Sequence, residues 1–163
     1  MITQLAALLN NNHNTVSTAE SCTGGLIAAE LTSVAGSSSY FQEGYITYSN
    51  DIKEKNLGVS HETLERYGAV SEYTCKEMLL GLLHRTSSDY GIAVTGIAGP
   101  GGGTEKKPVG LVYIGCGSLD DYRIYEEHFT GNREQIRRQT VTHAIRYLVC
   151  QIKERSESLS CEL

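Results

Sequence analysis

The sequence predicts an α/β fold: a three-layer α/β/α sandwich around a mixed sheet of about five strands. Apolar residues switch between the two-residue period of strands and the 3.6-residue period of helices. The two kinds of stretch alternate early in the chain, which favours parallel pairing. The last two strand-like stretches are separated only by Gly117-Ser118-Leu119-Asp120-Asp121, which favours an antiparallel hairpin.

Element by element, a helix is expected over 2–10 and a strand over Thr15 to Ala19. Ile27, Leu31, Val34 and Ala35 follow helical spacing, so a helix is expected from Thr23 to Ala35. A strand from Tyr45 to Ser49 precedes short helices after Asn50 and Ser60, where Asn or Ser could cap. Cys75, Met78, Leu79, Leu82 and Leu83 form the core stripe of a longer helix. Strands over Gly91 to Thr95, Val109 to Cys116 and Tyr122 to Phe129 come next. A last helix carries Val141, Ile145, Leu148, Val149 and Ile152. There is no internal repeat or interdomain linker, so 1–155 reads as one domain and 156–163 as a polar, frayed tail.

Composition removes several function classes. A chain of 163 residues can bury about two thirds of its unfolded surface. A net charge of −5 offers nucleic acid no broad attraction, so any phosphate must be held by a local site. No apolar run reaches membrane-spanning length, and Met1-Ile2-Thr3-Gln4 lacks the basic start of a secretory signal. Cys22, Cys75, Cys116, Cys150 and Cys161 have neither paired metal-ligand spacing nor an even count, which favours a reducing, cytoplasmic setting. Cys75 and Cys150 fall on helix stripes and read as buried apolar residues. The five histidines are scattered, so no metal and no organic cofactor is expected.

The most informative stretch is Ala19-Glu20-Ser21-Cys22-Thr23-Gly24-Gly25, a hydroxyl and a thiol where a strand turns into a helix. Free N–H groups at a helix start can hold a phosphate or an oxyanion, and paired glycines allow close approach. The same residues also make ordinary turns and caps. Ser21 is a possible nucleophile if a base takes its proton. Lys53 can be that base if burial or nearby positive charge lowers its pKa from about 10.4 towards about 7–8. Tyr48, five residues earlier at the expected end of the second strand, could pass or position a proton. Spacing alone favours a surface lysine and a strand-end core tyrosine. The glycine-rich run Gly99 to Gly103 lacks the Gly-Lys-Ser/Thr ending of a P-loop, and Pro108 with the strand after it leaves no helix for one. It reads as a loop beside a ligand or a plain connection, with Lys106 and Lys107 as solvated charges.

Five segments in order carry a resemblance. They are the serine segment, Gly44-Tyr45-Ile46-Thr47-Tyr48-Ser49-Asn50-Asp51-Ile52-Lys53, Ala69-Val70-Ser71, Thr95-Gly96-Ile97-Ala98-Gly99-Pro100 with the glycine run to Gly110, and Gly131-Asn132-Arg133-Glu134-Gln135-Ile136-Arg137-Arg138-Gln139. From about Leu5 to Ile152 the chain resembles the CinA C-terminal domain family, which includes the nicotinamide mononucleotide amidohydrolases. The resemblance implies hydrolysis of the carboxamide of that nucleotide, with Ser21 and Lys53 catalytic and Tyr48 beside them. It implies that Thr95 and Gly96 face the substrate and that Arg133 or Arg137 adds a basic group, with Cys22, Thr23 and Gly24 completing the substrate turn. Cys22 is the rival nucleophile, since a helix start can lower a thiol pKa. Longer CinA proteins carry a preceding pyrophosphatase-type domain, which a chain with this motif so near Met1 is expected to lack. The alternative reading is a binding or regulatory module that kept the pocket.

The expected partners are a small-molecule nucleotide and further copies of the chain. Ten tyrosines could supply an aromatic interface, and Tyr40 with Phe41 is one candidate patch, core packing being the other reading of each ring.

Overall fold

The structure is a computed structural model and describes residues 1–161. Its elements in order are α1 (Ile2–Asn11), β1 (Val16–Glu20), α2 (Leu26–Leu31), a 3₁₀ turn (Ser37–Ser39), β2 (Phe41–Ile46), α3 (Asn50–Leu57), α4 (His61–Tyr67), α5 (Glu72–Thr86), β3 (Tyr90–Gly96), β4 (Leu111–Gly117), β5 (Tyr122–His128) and α6 (Arg133–Cys161). The five strands lie in the order β2-β1-β3-β4-β5. β1 runs parallel to β2 and β3, while β3–β4 and β4–β5 are antiparallel, giving the mixed sheet with its closing hairpin.

Each sheet face has its own core, which makes the three layers. On one face Leu5, Leu9, Ile27, Leu31, Ile145 and Leu148 from α1, α2 and α6 pack on Val16, Ile92, Val94 and Ile114. On the other, Leu57, Leu64, Met78, Leu79 and Leu82 from α3, α4 and α5 pack on Ala19 and Ala93. β1 and β3 are buried on both faces, which explains the apolar run of β3 and the small residues Ser17, Thr18 and Ala19 of β1. Gly81 lets α5 press onto the end of α3, where a Cβ would stand 1.8 Å from Leu57 O. That contact fixes the helix carrying Lys53.

Several boundaries move. The second strand was expected at Tyr45 to Ser49 and lies at Phe41–Ile46, because its pairing with β1 ends at Glu20 with Ile46. β2 is an edge strand of alternating exposure, and its polar Gln42-Glu43-Gly44 conceals the signal. The expected helix from Thr23 to Ala35 is reduced to Leu26–Leu31, since Gly24 and Gly25 take left-handed φ of 58° and 107° and hold residues 21–25 in turns. Ser49, not Asn50, caps α3 by accepting from the Ile52 N–H, and Ser60 caps α4. Tyr40 is core rather than patch: it is 1% exposed and its hydroxyl donates to Leu31 O. Phe41 packs partly buried against the same core. Cys75 is buried, whereas Cys150 is exposed, one residue past Val149 and off the α6 stripe. The segment expected as a polar tail at 156–163 continues α6 as far as Cys161, and 162–163 lie outside the described residues.

Candidate active site

β1 delivers Ser21 to one end of the sheet, where the chain turns before α2. Glu20 shapes this turn. Its carboxylate, 1% exposed, accepts from Thr23 Oγ1 (2.6 Å), Ile27 N (2.8 Å) and Ala28 N (3.0 Å). The anion site that the sequence suggested at this helix start is therefore filled by the protein's own carboxylate. On the far side Arg137 donates from Nε to Cys22 O and from Nη2 to Thr23 O, both at 3.1 Å.

Lys53, from the first turn of α3, comes up under the serine. Its Nζ lies 3.2 Å from Ser21 Oγ, 2.8 Å from Thr47 O and 3.3 Å from Tyr48 O. Lys53 is 1% exposed, and burial pulls its pKa down from 10.5 to about 8, the neighbouring Cys22 opposing the shift. The carboxylate next to Ser21 in sequence, Glu20, is turned away into α2. A neutral lysine amine has two N–H groups and one lone pair. The Thr47 and Tyr48 carbonyls take the N–H groups, so the lone pair is left for the Ser21 hydroxyl. Cys22 differs: burial pushes its thiol up to about 12, so it stays protonated near neutrality.

Ser21, Cys22, Tyr48, Lys53, Ala69, Val70, Thr95, Gly96, Gly99, Gly101, Gly102 and Arg133 line a cavity of about 260 Å³. Larger hollows lie between α2 and α6 and around Asp89 and Arg155 at the opposite end of the sheet, but neither brings a serine to a lysine. The Thr95 hydroxyl is not turned to the cavity as a free group, because it donates to Ala69 O at 2.8 Å and so ties the 69–70 segment to β3. Tyr48 is 59% exposed, and its hydroxyl accepts from Arg133 Nη2 at 3.3 Å. It is the Tyr48 carbonyl, not the hydroxyl, that reaches Lys53. Arg133 also donates from Nη1 to Gly99 O, fastening the start of the glycine loop.

The two arginines that sequence left level are thus separated by structure. Arg133 lines the cavity, whereas Arg137 lies behind the serine turn beside Thr23 and Gly24. Sequence reasoning missed Glu20, whose signal was a lone carboxylate ending an otherwise small and apolar strand. It also gave Ala69 and Val70 no site role. Lys107, read as a solvated charge, donates from Nζ to Tyr67 O and pins the glycine loop to the end of α4. Among the described residues no group of three or more His, Cys, Asp or Glu side chains is placed to hold a metal ion, and no helix is long and apolar enough to cross a membrane.

Residues 1–152 match the CinA C-terminal domain. The chain belongs to that family. CinA-like proteins of Endomicrobium trichonymphae and Fusobacterium nucleatum are 54% and 51% identical to it over 138 and 131 residues, 85% and 80% of this chain. The match covers 32% of each, so this CinA-family chain spans about a third of the length of these curated relatives. A CinA superfamily protein from Klebsiella pneumoniae superposes with a TM-score of 0.90 at 34% identity, covering 94% of this chain and 96% of that one. The competence/damage inducible protein from Agrobacterium tumefaciens gives 0.86 at 44% identity, covering 91% and 94%.

Proposed function

We propose that this CinA-family chain is an amidohydrolase that converts nicotinamide mononucleotide to nicotinate mononucleotide and ammonia, in recycling of pyridine nucleotides. The observation that carries the reading is the Lys53 amine, buried, drawn down to about 8 and 3.2 Å from the Ser21 hydroxyl. A structural ion pair would place a carboxylate there. A base poised near working pH beside a hydroxyl is what nucleophilic acyl transfer requires.

In the proposed reaction Ser21 Oγ attacks the carboxamide carbon as neutral Lys53 takes its proton. The tetrahedral oxyanion is held by backbone N–H groups. The Ser21 and Gly24 amides are committed to Val94 O and Ser21 O, so those of Cys22 and Thr23 are assigned this role. Collapse expels ammonia, which receives the proton from Lys53, and leaves an ester on Ser21. Water, deprotonated by Lys53, then cleaves the ester and regenerates the hydroxyl. Arg133, with Tyr48 beside it, supplies the positive charge for the nucleotide phosphate at the cavity rim, and Gly96 with Thr95 forms the floor. The scheme uses no metal or cofactor. The active species is proposed to be a homo-oligomer, to be checked by light scattering across a dilution series.

Release of ammonia from the mononucleotide by purified protein tests the reading. Turnover that disappears in Ser21→Ala supports it. Binding of the mononucleotide without ammonia release would make the chain a binding module instead.

A further inference from the structure

We propose that Arg137 is a positioning residue of the oxyanion site, polarising from behind the peptide groups of the 21–24 turn, of which Ser21 and Cys22 line the cavity; this rests on the amidohydrolase reading above. The guanidinium donates to two successive carbonyls, Cys22 O and Thr23 O, each at 3.1 Å. Every peptide couples its C=O to the N–H of the next residue. A cation on Cys22 O therefore makes the Thr23 N–H a stronger donor, and one on Thr23 O does the same for the Gly24 N–H. The Gly24 N–H in turn donates to Ser21 O at 3.0 Å, and that peptide's own N–H belongs to Cys22, which lines the cavity. Arg137 thus reaches the Cys22 N–H through two linked peptides and the Thr23 N–H through one.

The surroundings are shaped for this contact. Gly24 sits at φ 58°, so the glycine supplies the turn, and Arg137 Nη2 packs directly over it, 3.4 Å from where a Cβ would stand. Arg137 is half-buried and absent from the cavity lining, so it has no route to bound nucleotide. Its other side borders the hollow of about 550 Å³ lined by Leu26, Glu30, Glu134, Arg138 and Val141. A small cation can enter there without passing through the substrate cavity. Lysine is a poor replacement, since Arg137 meets the two carbonyls from two separate nitrogens of a planar fork, Nε and Nη2, whereas a lysine would have to reach both from one nitrogen.

Arg137→Met and Arg137→Lys, compared with wild type on nicotinamide mononucleotide, test the proposal. Loss of one oxyanion donor costs about 10²–10³ in turnover, so weakening two from behind should lower kcat by about tenfold or more in both variants. KM should stay within about twofold, because ground-state binding does not use these N–H groups. Added guanidinium chloride at low millimolar concentration should restore part of the kcat lost in Arg137→Met and leave wild type unchanged. A raised KM with intact kcat would make Arg137 a substrate contact and overturn the proposal. Lowered kcat with a lowered melting temperature and no guanidinium rescue would also overturn it, as a merely structural role. If wild type releases no ammonia, the amidohydrolase reading fails by itself. The comparison is then read from the rate at which a fluorophosphonate labels Ser21. Slower labelling of Arg137→Met, restored by guanidinium, sustains the proposal. Equal rates, or no labelling of either protein, overturn it.

Discussion

The two walls of the cavity are built on opposite principles. On one wall Ser21 and Lys53, backed by Glu20, are almost wholly buried, and the Lys53 amine and the Glu20 carboxylate are each held by named protein partners. On the other, Gly101 and Gly102 are exposed, Tyr48 and Arg133 reach over the rim, and the loop is tied at Gly99 and Lys107. In the proposed reaction the difference separates two tasks. Proton transfer and attack need fixed, dry geometry, whereas a phosphate on a mobile substrate can be met by wet, adaptable groups. Changes on the buried wall should therefore act on turnover or stability, and changes on the exposed wall on substrate affinity.

The largest effect should come from Ser21. Ser21→Ala is expected to lower kcat at least about 10³-fold, as removal of a nucleophile does, while Cys22→Ala changes it less than about threefold. Steady-state ammonia release decides this, and the reverse pattern would move the nucleophile to the thiol. Next is Glu20→Ala, which orphans the Ile27 and Ala28 N–H groups and the Thr23 hydroxyl. At about 1 kcal/mol or more each, the loss in urea unfolding should be about 3 kcal/mol. Arg133→Ala belongs to the exposed wall and should raise KM about tenfold while kcat changes less, as for loss of one partly solvated phosphate contact. A kcat effect without a KM effect would erase the contrast between the walls.

The smallest effect is the most diagnostic in sign. Lys53 has a folded pKa of about 8 against 10.5. The folded state therefore binds fewer protons between those values, and the strain of burying the charge is greatest below about 8 and is relieved as pH rises towards 10.5. That strain amounts to about 3 kcal/mol near neutrality. Lys53→Met removes it but leaves the Thr47 and Tyr48 carbonyls unpaired at about 1 kcal/mol each, so the inactive variant should be about 1 kcal/mol more stable in urea at neutral pH. A destabilised Lys53→Met would show that the lysine is there for packing.

Fold and site were legible to different depths. The buried strand β3 and the α5 stripe stood out because both faces of the strand, or one face of the helix, are apolar. The edge strand β2 was displaced because an exposed edge follows no such demand. In the candidate site, Ser21, Lys53 and Tyr48, which share one cavity, were singled out through the order of motifs. The roles of the two arginines were not, because Arg133 and Arg137 lie one helical turn apart and the sequence does not say which carbonyls each will meet. Glu20 was passed over for a similar reason: two of its three partners lie seven and eight residues ahead, on backbone atoms that no side-chain pattern marks.

The most direct test of the account is the pH dependence of kcat/KM for ammonia release from nicotinamide mononucleotide. With neutral Lys53 as the proposed base, activity should fall about tenfold per pH unit below a midpoint near 8 and level off above it. A profile flat through that region, or a single midpoint near the ordinary histidine value of about 6.5, would contradict a lysine base at Ser21.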